Sequence, residues 1–302
     1  MTTRSGNGWI VRASGSQVEA WSAFRLPYPP KGDALLYLQA LRDAIRVFPA
    51  SISGRLSAEY GGPSGVNNFD VENVLHYNVN PAFFAASAPL GVQCEVRTVE
   101  APLSPSERYF EHYTQYRVGT SPLVFRNWIA HPSEILSWRG IRWPGRATIP
   151  TASEVWTWLQ RDLDERGVGM TREIVSCPFA VSLTLRLPGA QWRPLHSSVK
   201  RLLDGVVAAL HVTFEPPSDV LLQRVSSQTG QSTDTVRRWL RRRGPCVISS
   251  LSPVRLNGAG IKWDPEDHRC EASSIVVEGA KSEPAPVVDL EISAVHPAPT
   301  PG

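Results

Sequence analysis

The stretch FAVSLTLRL (residues 179–187), followed after a proline-containing loop by SSVKRLLDGVVAALH (residues 197–211), decides the fold class. In the first segment apolar residues alternate with polar ones, the period of a strand with one face toward a core. In the second, apolar residues recur at spacings of three and four from Val199 to Leu210, which predicts an amphipathic helix. Lys200, Asp204 and His211 share the opposite face of that helix. A strand followed by a helix predicts a mixed α+β architecture.

The first half of the chain begins in the same way. An imperfect alternation from Val18 to Leu26 predicts a strand, and the apolar spacing from Leu35 to Phe48 predicts a helix. GVQCEVRTVEA (91–101) then predicts another strand. We therefore predict two small units of mixed sheet and helix, at 18–150 and 151–278. Their common order is compatible with a duplication, which the residue identities do not establish.

The remaining segments carry weaker patterns. Thr151 followed by Glu154 predicts a capping box that begins a helix. The spacing of the aromatic residues from Tyr109 to Tyr116 suggests one helical face, and residues 257–278 suggest a hairpin that turns at DPEDHR. Residues 1–17 are small and polar, and residues 279–302 are rich in Pro, Ala and Ser, so both ends are predicted to be disordered.

Composition excludes several classes of protein. The 302 residues are 42% apolar and 20% charged with a net charge of +3, which excludes wholesale disorder and a strongly cationic nucleic-acid coat. No stretch approaches the roughly 20 apolar residues that span a bilayer, so we expect no membrane partner. Four cysteines without CxxC spacing and the absence of a signal-like opening predict reduced thiols and a cytoplasmic location. Arginines outnumber lysines 27 to 4, which suits nucleic acid but also follows from GC-rich coding.

The segment DVLLQRVSSQTGQSTDTVRRWLRRRG (219–244) predicts a pair of helices. Residues 220–225 supply an apolar face for the first helix, Gly230 supplies the turn, and Ser232 or Thr233 caps the second. In the second helix Val236, Trp239 and Leu240 point to one side, and four of its arginines point away. Six arginines and two aspartates between residues 219 and 246 give a local charge of +4, which exceeds that of the whole chain.

Over residues 221–242 this segment resembles the helix-turn-helix of bacterial regulators and site-specific DNA-binding proteins. The resemblance implies that residues at the start of the second helix approach base edges and that the later arginines contact phosphates. The alternative is an ordinary helical hairpin with a solvated, arginine-rich face. The residues predicted to contact nucleic acid are Thr233, Thr235, Arg237, Arg238, Arg241, Arg242 and Arg243.

Two acidic clusters have the residue types of a metal-dependent nuclease, which needs convergent carboxylates for Mg²⁺ and often a nearby lysine. The first is Asp70-Val-Glu72-Asn73 and the second is Asp264-Pro-Glu266-Asp267-His268. The predicted metal ligands are Asp70, Glu72, Asp264 and Asp267, with Lys200 as the catalytic lysine. These residues can also have purely structural roles. Asp264 and Asp267 suit a turn, Asp70 suits a helix cap, and Lys200 suits an ion pair with Asp204.

The order of strand, helix with Lys200 and LLDGVVAAL, and GIKWDPEDHRC resembles the second half of the RusA-type Holliday-junction resolvases, with the helix-turn-helix as an insertion. That resemblance implies a small α+β nuclease that uses Mg²⁺. The family's D-x-D-N is missing before Lys200, where Pro194, His196 and Ser197 stand, and its nearest form lies at Asp70 in the other half. A site assembled from both halves, an inactive relative and an unrelated protein all stay open, and the missing carboxylates favour the last two.

Three functions are compatible with these observations. The leading prediction is a protein that binds nucleic acid, DNA above all, through residues 219–243. The second is a Mg²⁺-dependent, structure-specific endonuclease. The third is a non-catalytic scaffold with a protein partner, which the tryptophans from Trp128 to Trp143 and the proline-rich tail suggest.

Overall fold

The computed structural model describes residues 1–63, 70–142, 150–167, 172–173, 177–187, 195–244, 246–279 and 287–299. The helices in these ranges are α1 (Asp33–Arg46), α2 (Ala152–Arg166), α3 (Leu195–Ala209), α4 (Asp219–Thr229) and α5 (Thr233–Leu240), with short helical turns at Asn73–Tyr77 and Pro81–Phe84. The strands are β1 (Thr2–Gly6), β2 (Trp9–Ser14), β3 (Gln17–Ser22), β4 (Arg55–Gly61), β5 (Gly91–Val96), β6 (His112–Gly119), β7 (Trp128–Arg142), β8 (Arg172–Glu173), β9 (Phe179–Leu187), β10 (Cys246–Val247), β11 (Val254–Asn257), β12 (Gly260–Trp263), β13 (Cys270–Gly279) and β14 (Val287–Pro297). The predicted α+β class is confirmed.

Ten of these strands form one mixed sheet in the order β1-β2-β3-β6-β4-β5-β13-β9-β14-β7. At its centre β5 and β13 pair antiparallel, and each has a parallel neighbour on its outer side, β4 beside β5 and β9 beside β13. Beyond these, β6 and β14 run antiparallel to β4 and β9. The predicted units at 18–150 and 151–278 thus share one sheet, and β7, which precedes residue 150, pairs with β14.

The main core lies between this sheet and the helices. Apolar residues of β4, β5, β9 and β14 pack against α1, α2 and α3 in one continuous cluster. Helices α2 and α3 approach closely at Gly205, where an added Cβ would lie 2.5 Å from Cβ of Val155 and 2.8 Å from the carbonyl oxygen of Ala152. The absence of a side chain at Gly205 therefore sets how near α3 lies to α2.

Three helices, α2, α4 and α5, begin at side chains that cap their first turns. Thr151 and Glu154 form the predicted capping box at the start of α2. Ser218 caps α4, and Ser232 caps α5 by accepting from the N–H of Thr235. Gly230, at φ 66°, ends α4 in the left-handed conformation that favours glycine.

Both chain ends differ from the prediction. Residues 2–14 form β1 and β2 instead of a disordered segment, because Trp9, Val11 and Ala13 are buried in the core. Residues 287–297 form β14, which lies between β9 and β7 in the sheet. The predicted disordered tail at 279–302 is therefore wrong for that part, since β14 buries Val288, Leu290 and Ile292.

Two internal predictions are also wrong. The predicted aromatic helical face around Tyr113 and Tyr116 is β6, whose two faces are both covered, so its buried residues do not alternate with exposed ones. The predicted 257–278 hairpin is divided, because β12 pairs with β11 across Gly258 while β13 joins the large sheet. Of the tryptophans predicted to form an interaction surface, Trp143 lies outside the described residues.

Candidate metal centre and helical pair

Two acidic residues of the first half lie just after β4. Asp70 precedes the short helical turn at Asn73–Tyr77, whose first amide N–H bonds to the Asp70 carbonyl oxygen at 3.0 Å. The side-chain amide of Asn73 also donates to the Asp70 carboxylate. Glu72 lies at the start of the same turn with its side chain only 3% exposed. The turn therefore holds Asp70 at the surface and Glu72 beneath it.

Helix α3 of the second half supplies the cation. Nζ of Lys200 lies 3.4 Å from Oδ2 of Asp70, 3.5 Å from Oε1 of Glu72 and 3.1 Å from Oδ1 of Asp204, one turn further along α3. Lys200 thus bridges carboxylates of both halves. The ion pair between Lys200 and Asp204, expected if the lysine has a purely structural role, is present. It is one of three ion pairs that Lys200 makes.

Asp267 completes the cluster from the turn before β13. Its N–H bonds to the carbonyl oxygen of Pro265 at 3.0 Å, and its own carbonyl oxygen accepts from Cys270 at 2.8 Å. Because β13 is a central strand, this turn is anchored to the middle of the sheet. One carboxylate oxygen each of Asp70, Glu72 and Asp267 lie within 4.8 Å of one another.

The donor set fits a hard divalent cation. All three groups offer carboxylate oxygens, the ligands that Mg²⁺ and Mn²⁺ prefer. Oε1 of Glu72 is buried and accepts no hydrogen bond from any residue that the structure describes. With Asp204, four carboxylates surround the single ammonium of Lys200 and leave a formal charge of −3. A buried excess of negative charge with an unsatisfied oxygen is an arrangement that a cation would stabilise.

The pKa values of these side chains reflect the excess of carboxylates over ammonium groups. Burial raises the pKa of Glu72 to about 7, against the attraction of Lys200. Burial, a hydrogen bond with Asp70 and the charge of Glu72 together raise the pKa of Asp267 well above its ordinary value. Burial lowers the pKa of Lys200, but the charges of Glu72 and Asp204 outweigh burial and raise it. The ammonium is therefore held charged while the carboxylates compete for it.

The cluster opens into a cleft of about 460 Å³. Asp70, Lys200, Asp204 and Asp267 line one side, and the β12 residues Lys262 and Trp263 line another. Asp264, the fourth predicted ligand, also faces this cleft but is paired with Arg255 at 2.8 Å and Lys262 at 2.6 Å. Those two cations hold the pKa of Asp264 below its ordinary value in spite of its partial burial. Asp264 therefore lies at the rim of the cleft, outside the group formed by Asp70, Glu72 and Asp267, and its role as a ligand stays a prediction.

The helical pair α4–α5 packs as predicted in most respects. Leu221, Leu222 and Val225 of α4 are buried, as are Val236, Trp239 and Leu240 of α5. Val220, which the sequence placed on the packed face, is 48% exposed. The hydroxyl of Ser226 donates to the Gln231 carbonyl oxygen, which ties α4 to the turn.

Of the four arginines predicted to point away from the packed side, Arg237, Arg238, Arg241 and Arg242, one is largely buried. Arg242 is 9% exposed, donates to the Gln160 carbonyl oxygen at 3.0 Å, and pairs with Asp164 of α2. Arg238 also reaches Asp164, at 3.4 Å, but stays 61% exposed. The Arg243 guanidinium lies over the Phe214 ring, 5.3 Å from its centroid. Arg242 therefore fixes α5 to α2, and its contact with phosphate stays a prediction.

Several predicted contact residues stay at the surface. Arg241 and Arg243 are exposed, and Thr233, Thr235 and Arg237 are half-buried. Arg237 pairs within the helical pair, at 2.6 Å from Asp234 and 3.7 Å from Asp219. The exposed positive charge of α5 thus concentrates at its C-terminal end.

The helical pair and the cleft are joined through the β11–β12 hairpin. Arg224 of α4 donates to the carbonyl oxygens of Gly258 and Gly260 at the hairpin tip, at 2.7 and 2.9 Å. The same hairpin presents Lys262 and Trp263 to the cleft.

Comparisons with known proteins give no relative: no family model, curated protein or solved structure matches the chain. Among the described residues, no helix has both the length and the apolar character needed to cross a bilayer.

Two neighbours of the cluster are not among the site residues that the sequence predicts. Asp204 lies four residues after Lys200, on the same face of α3, and this spacing is the signal that could identify it. Asn73 lies in the cleft and donates to Asp70.

Proposed function

We propose that this protein is a divalent-metal-dependent nuclease with a nucleic-acid-binding helical pair. The observation that carries the proposal is the convergence of Asp70, Glu72 and Asp267 from distant parts of the chain around Lys200, with one buried Glu72 oxygen left without a hydrogen bond. The cluster sets four carboxylates against one ammonium, and the raised pKa values of Glu72 and Asp267 reflect an excess of negative charge that a cation would relieve.

The chemistry that suits such a site is hydrolysis of a phosphodiester. Water adds to phosphorus, one P–O bond to a sugar breaks, and the products are a phosphate monoester and a free hydroxyl group. A divalent cation held by Asp70, Glu72 and Asp267 would neutralise phosphate charge. Lys200 would add a second positive charge at the same phosphate, and the carboxylates fix where its ammonium lies.

DNA is the proposed substrate. Arg241 and Arg243 add positive charge at the end of α5. The hairpin contacts of Arg224 connect that helical pair with the cleft wall, which supports one continuous path for a strand. Binding through this surface needs no metal, whereas cleavage does.

A relationship to the RusA-type resolvases is part of the proposal. Strand β9, helix α3 with Lys200 and the segment with Asp267 follow that family's order. The D-x-D-N element that is missing before Lys200 has its counterpart in Asp70-Val-Glu72-Asn73, which lies against Lys200 from the other half. This arrangement favours a site assembled from both halves over an inactive relative.

The scaffold hypothesis has less support. Trp128 donates to the Val96 carbonyl oxygen at 2.7 Å, and much of the proline-rich tail is β14. These features serve the fold.

The test is incubation of the purified chain with labelled duplex, single-stranded and four-way-junction DNA, with Mg²⁺, Mn²⁺ or EDTA. We expect metal-dependent products that Asp70→Asn and Asp267→Asn abolish, and binding in EDTA that both variants retain. Asp43→Asn is the matched control, because Asp43 is an exposed carboxylate of α1 that pairs with Arg4 and Arg46. Equal cleavage by Asp70→Asn and the unaltered chain would overturn the proposal.

A further inference from the structure

Four strands on each side of the centre of the large sheet have the same connectivity, with β2 and β1 added beyond β3 on one side. Outward from the central pair, the order is β5, β4, β6, β3 on one side and β13, β9, β14, β7 on the other. Along the chain these strands come in matching order, with α1 after β3 and α2 after β7. The pairings match too, parallel next to the centre and antiparallel beyond. The sheet therefore has a pseudo-twofold axis between β5 and β13.

The axis relates residues around the metal centre. Counted from the first residue of its strand, Glu72 lies 17 residues beyond Arg55, and His196 lies 17 beyond Phe179. On the same count His76 and Lys200 both lie 21 residues beyond their strand starts. Glu72 thus corresponds to His196, and His76 corresponds to Lys200.

The contacts among these four residues agree with this correspondence. Lys200 approaches Glu72, with Nζ 3.5 Å from Oε1. Its counterpart His76 approaches His196, with Nε2 3.0 Å from Nδ1. These are the same contact between the halves, made once with an ammonium and a carboxylate and once with two imidazoles.

The location occupied by His76 and His196 lacks the carboxylate and the ammonium that meet at Glu72 and Lys200. Phe84 stacks on His76, with ring centroids 5.5 Å apart, and lies 6.1 Å from His196. His196 is hydrogen-bonded to the Ala88 carbonyl oxygen at 2.6 Å. Among the described residues, no third His, Cys, Asp or Glu joins these two histidines in a group that could hold a metal ion. The counterpart of Asp70 on the same count is Pro194, outside the described residues, which has no carboxylate.

We infer that the molecule has one metal centre where its pseudo-twofold architecture has two equivalent locations, and that it cuts one DNA strand per binding event. The inference rests on the proposed nuclease function. A symmetric nuclease with two active sites can cut two DNA strands while the substrate stays in one complex. A chain with only one competent location has to release or turn its substrate before a second cut.

The first experiment is single-turnover cleavage of a four-way junction whose two candidate strands carry different fluorophores, with an unlabelled competitor added once the complex has formed. We expect molecules cut in one strand only, with the second cut abolished by the competitor. Paired cuts that persist in the presence of competitor would overturn the inference.

The second experiment does not depend on cleavage. Mn²⁺ binding is titrated by electron paramagnetic resonance with the full chain, Asp70→Asn/Asp267→Asn and His76→Gln. We expect the double variant to lose all high-affinity Mn²⁺ and His76→Gln to keep all of it, with folding checked by circular dichroism. High-affinity Mn²⁺ that survives in the double variant would show a second site and overturn the inference. Absence of cleavage together with this Mn²⁺ result would refute the proposed function and the single-strand cut that depends on it, and would support the single metal centre.

Discussion

Nζ of Lys200 lies 3.5 Å from Oε1 of Glu72, and the two residues belong to opposite halves of the ten-stranded sheet. Neither half has both the carboxylates of the 70–72 segment and the lysine of α3. The central pairing of β5 with β13 is what brings them together. The acidic cluster is therefore a property of the whole sheet.

Metal ions should stabilise the protein more at high pH than at low pH. Burial raises the pKa of Glu72 to about 7, so the stability from its protonated form is present below its ordinary pKa of about 4.3 and is lost as the pH rises through 7. A divalent cation needs the ionised carboxylate and replaces the proton. We expect Mn²⁺ to raise Tm more at about pH 8 than at about pH 5.5, as measured by differential scanning calorimetry.

Glu72→Gln is the control for that experiment, because glutamine keeps the size of the side chain without a titrating group. We expect this variant to lose part of the fall in metal-free stability as the pH rises. An equal Mn²⁺ effect at both pH values in the unaltered chain would contradict the assignment.

Replacing Lys200 should separate metal affinity from catalysis. In Lys200→Met the carboxylates lose the ammonium that competes for them, so we expect tighter Mn²⁺ binding. Cleavage at saturating metal should fall by about 10²-fold or more, because a positive charge at the phosphate is gone. Lys200→Arg, which keeps the charge, should retain more activity. Unchanged cleavage by Lys200→Met would remove this lysine from the mechanism.

Arg242 should be needed for stability. Its side chain is 9% exposed and pairs with Asp164, which is 38% exposed, so the pair is only partly screened by solvent. We expect Arg242→Ala to lower the free energy of unfolding by about 1–2 kcal/mol, less than for a fully buried pair. The measurement is urea denaturation, with the exposed neighbour Arg241→Ala as control and an expected change within about 0.5 kcal/mol. The same loss in both variants would refute the docking of α5 on α2 through Arg242.

Arg241 should affect DNA affinity. Because it is exposed at the end of α5, we expect Arg241→Ala to weaken binding by similar factors for unrelated duplex sequences. The slope of log affinity against log salt concentration should fall by about 1, as for the loss of one phosphate contact. Fluorescence anisotropy in EDTA over a range of salt concentrations measures both quantities. An unchanged salt slope would place the DNA surface elsewhere.

Gly205 should not tolerate a side chain. The Cβ of Gly205→Ala would lie 2.5 Å from Cβ of Val155, which forces α3 away from α2 at an expected cost of about 1–3 kcal/mol. Because Lys200 and Asp204 belong to α3, we also expect slower cleavage at temperatures where the variant is folded. Gly119→Ala is the control, since its Cβ would meet nothing within 4 Å. Equal Tm values for the two variants would count against the close helix contact.

The sequence predicts the elements that carry a local signal. The strand at 179–187 alternates cleanly because only one of its faces is fully buried, and α2, α4 and α5 begin at side chains that cap their first turns. By contrast, β1 is polar and exposed and becomes a strand only through pairing with β2, and the apolar residues of β2 are too few to stand out locally until β2 pairs with β3 and packs into the core. Such strands depend on residues that are distant in the sequence, and a short stretch of sequence does not include those residues.

For the metal centre, too, the sequence indicates some features and only the fold reveals the others. Residue types identified Asp70, Glu72, Asp267 and Lys200 as candidates, but only the sheet topology shows that they meet. Asp264 has the same residue type as Asp267 and lies three residues before it. Arg255 and Lys262, brought close by the hairpin pairing, neutralise it and keep it at the rim.

The place of β14 in the sheet has a consequence for how the chain is made. This strand lies between β9 and β7, so a nascent chain that has not yet reached Val287 exposes two unpaired strand edges, one on each side of the gap. Such edges readily pair with other chains. Synthesis of the protein therefore includes an interval in which most of the molecule is present but aggregation-prone, and we expect ribosome stalling shortly before Val287 to yield insoluble fragments.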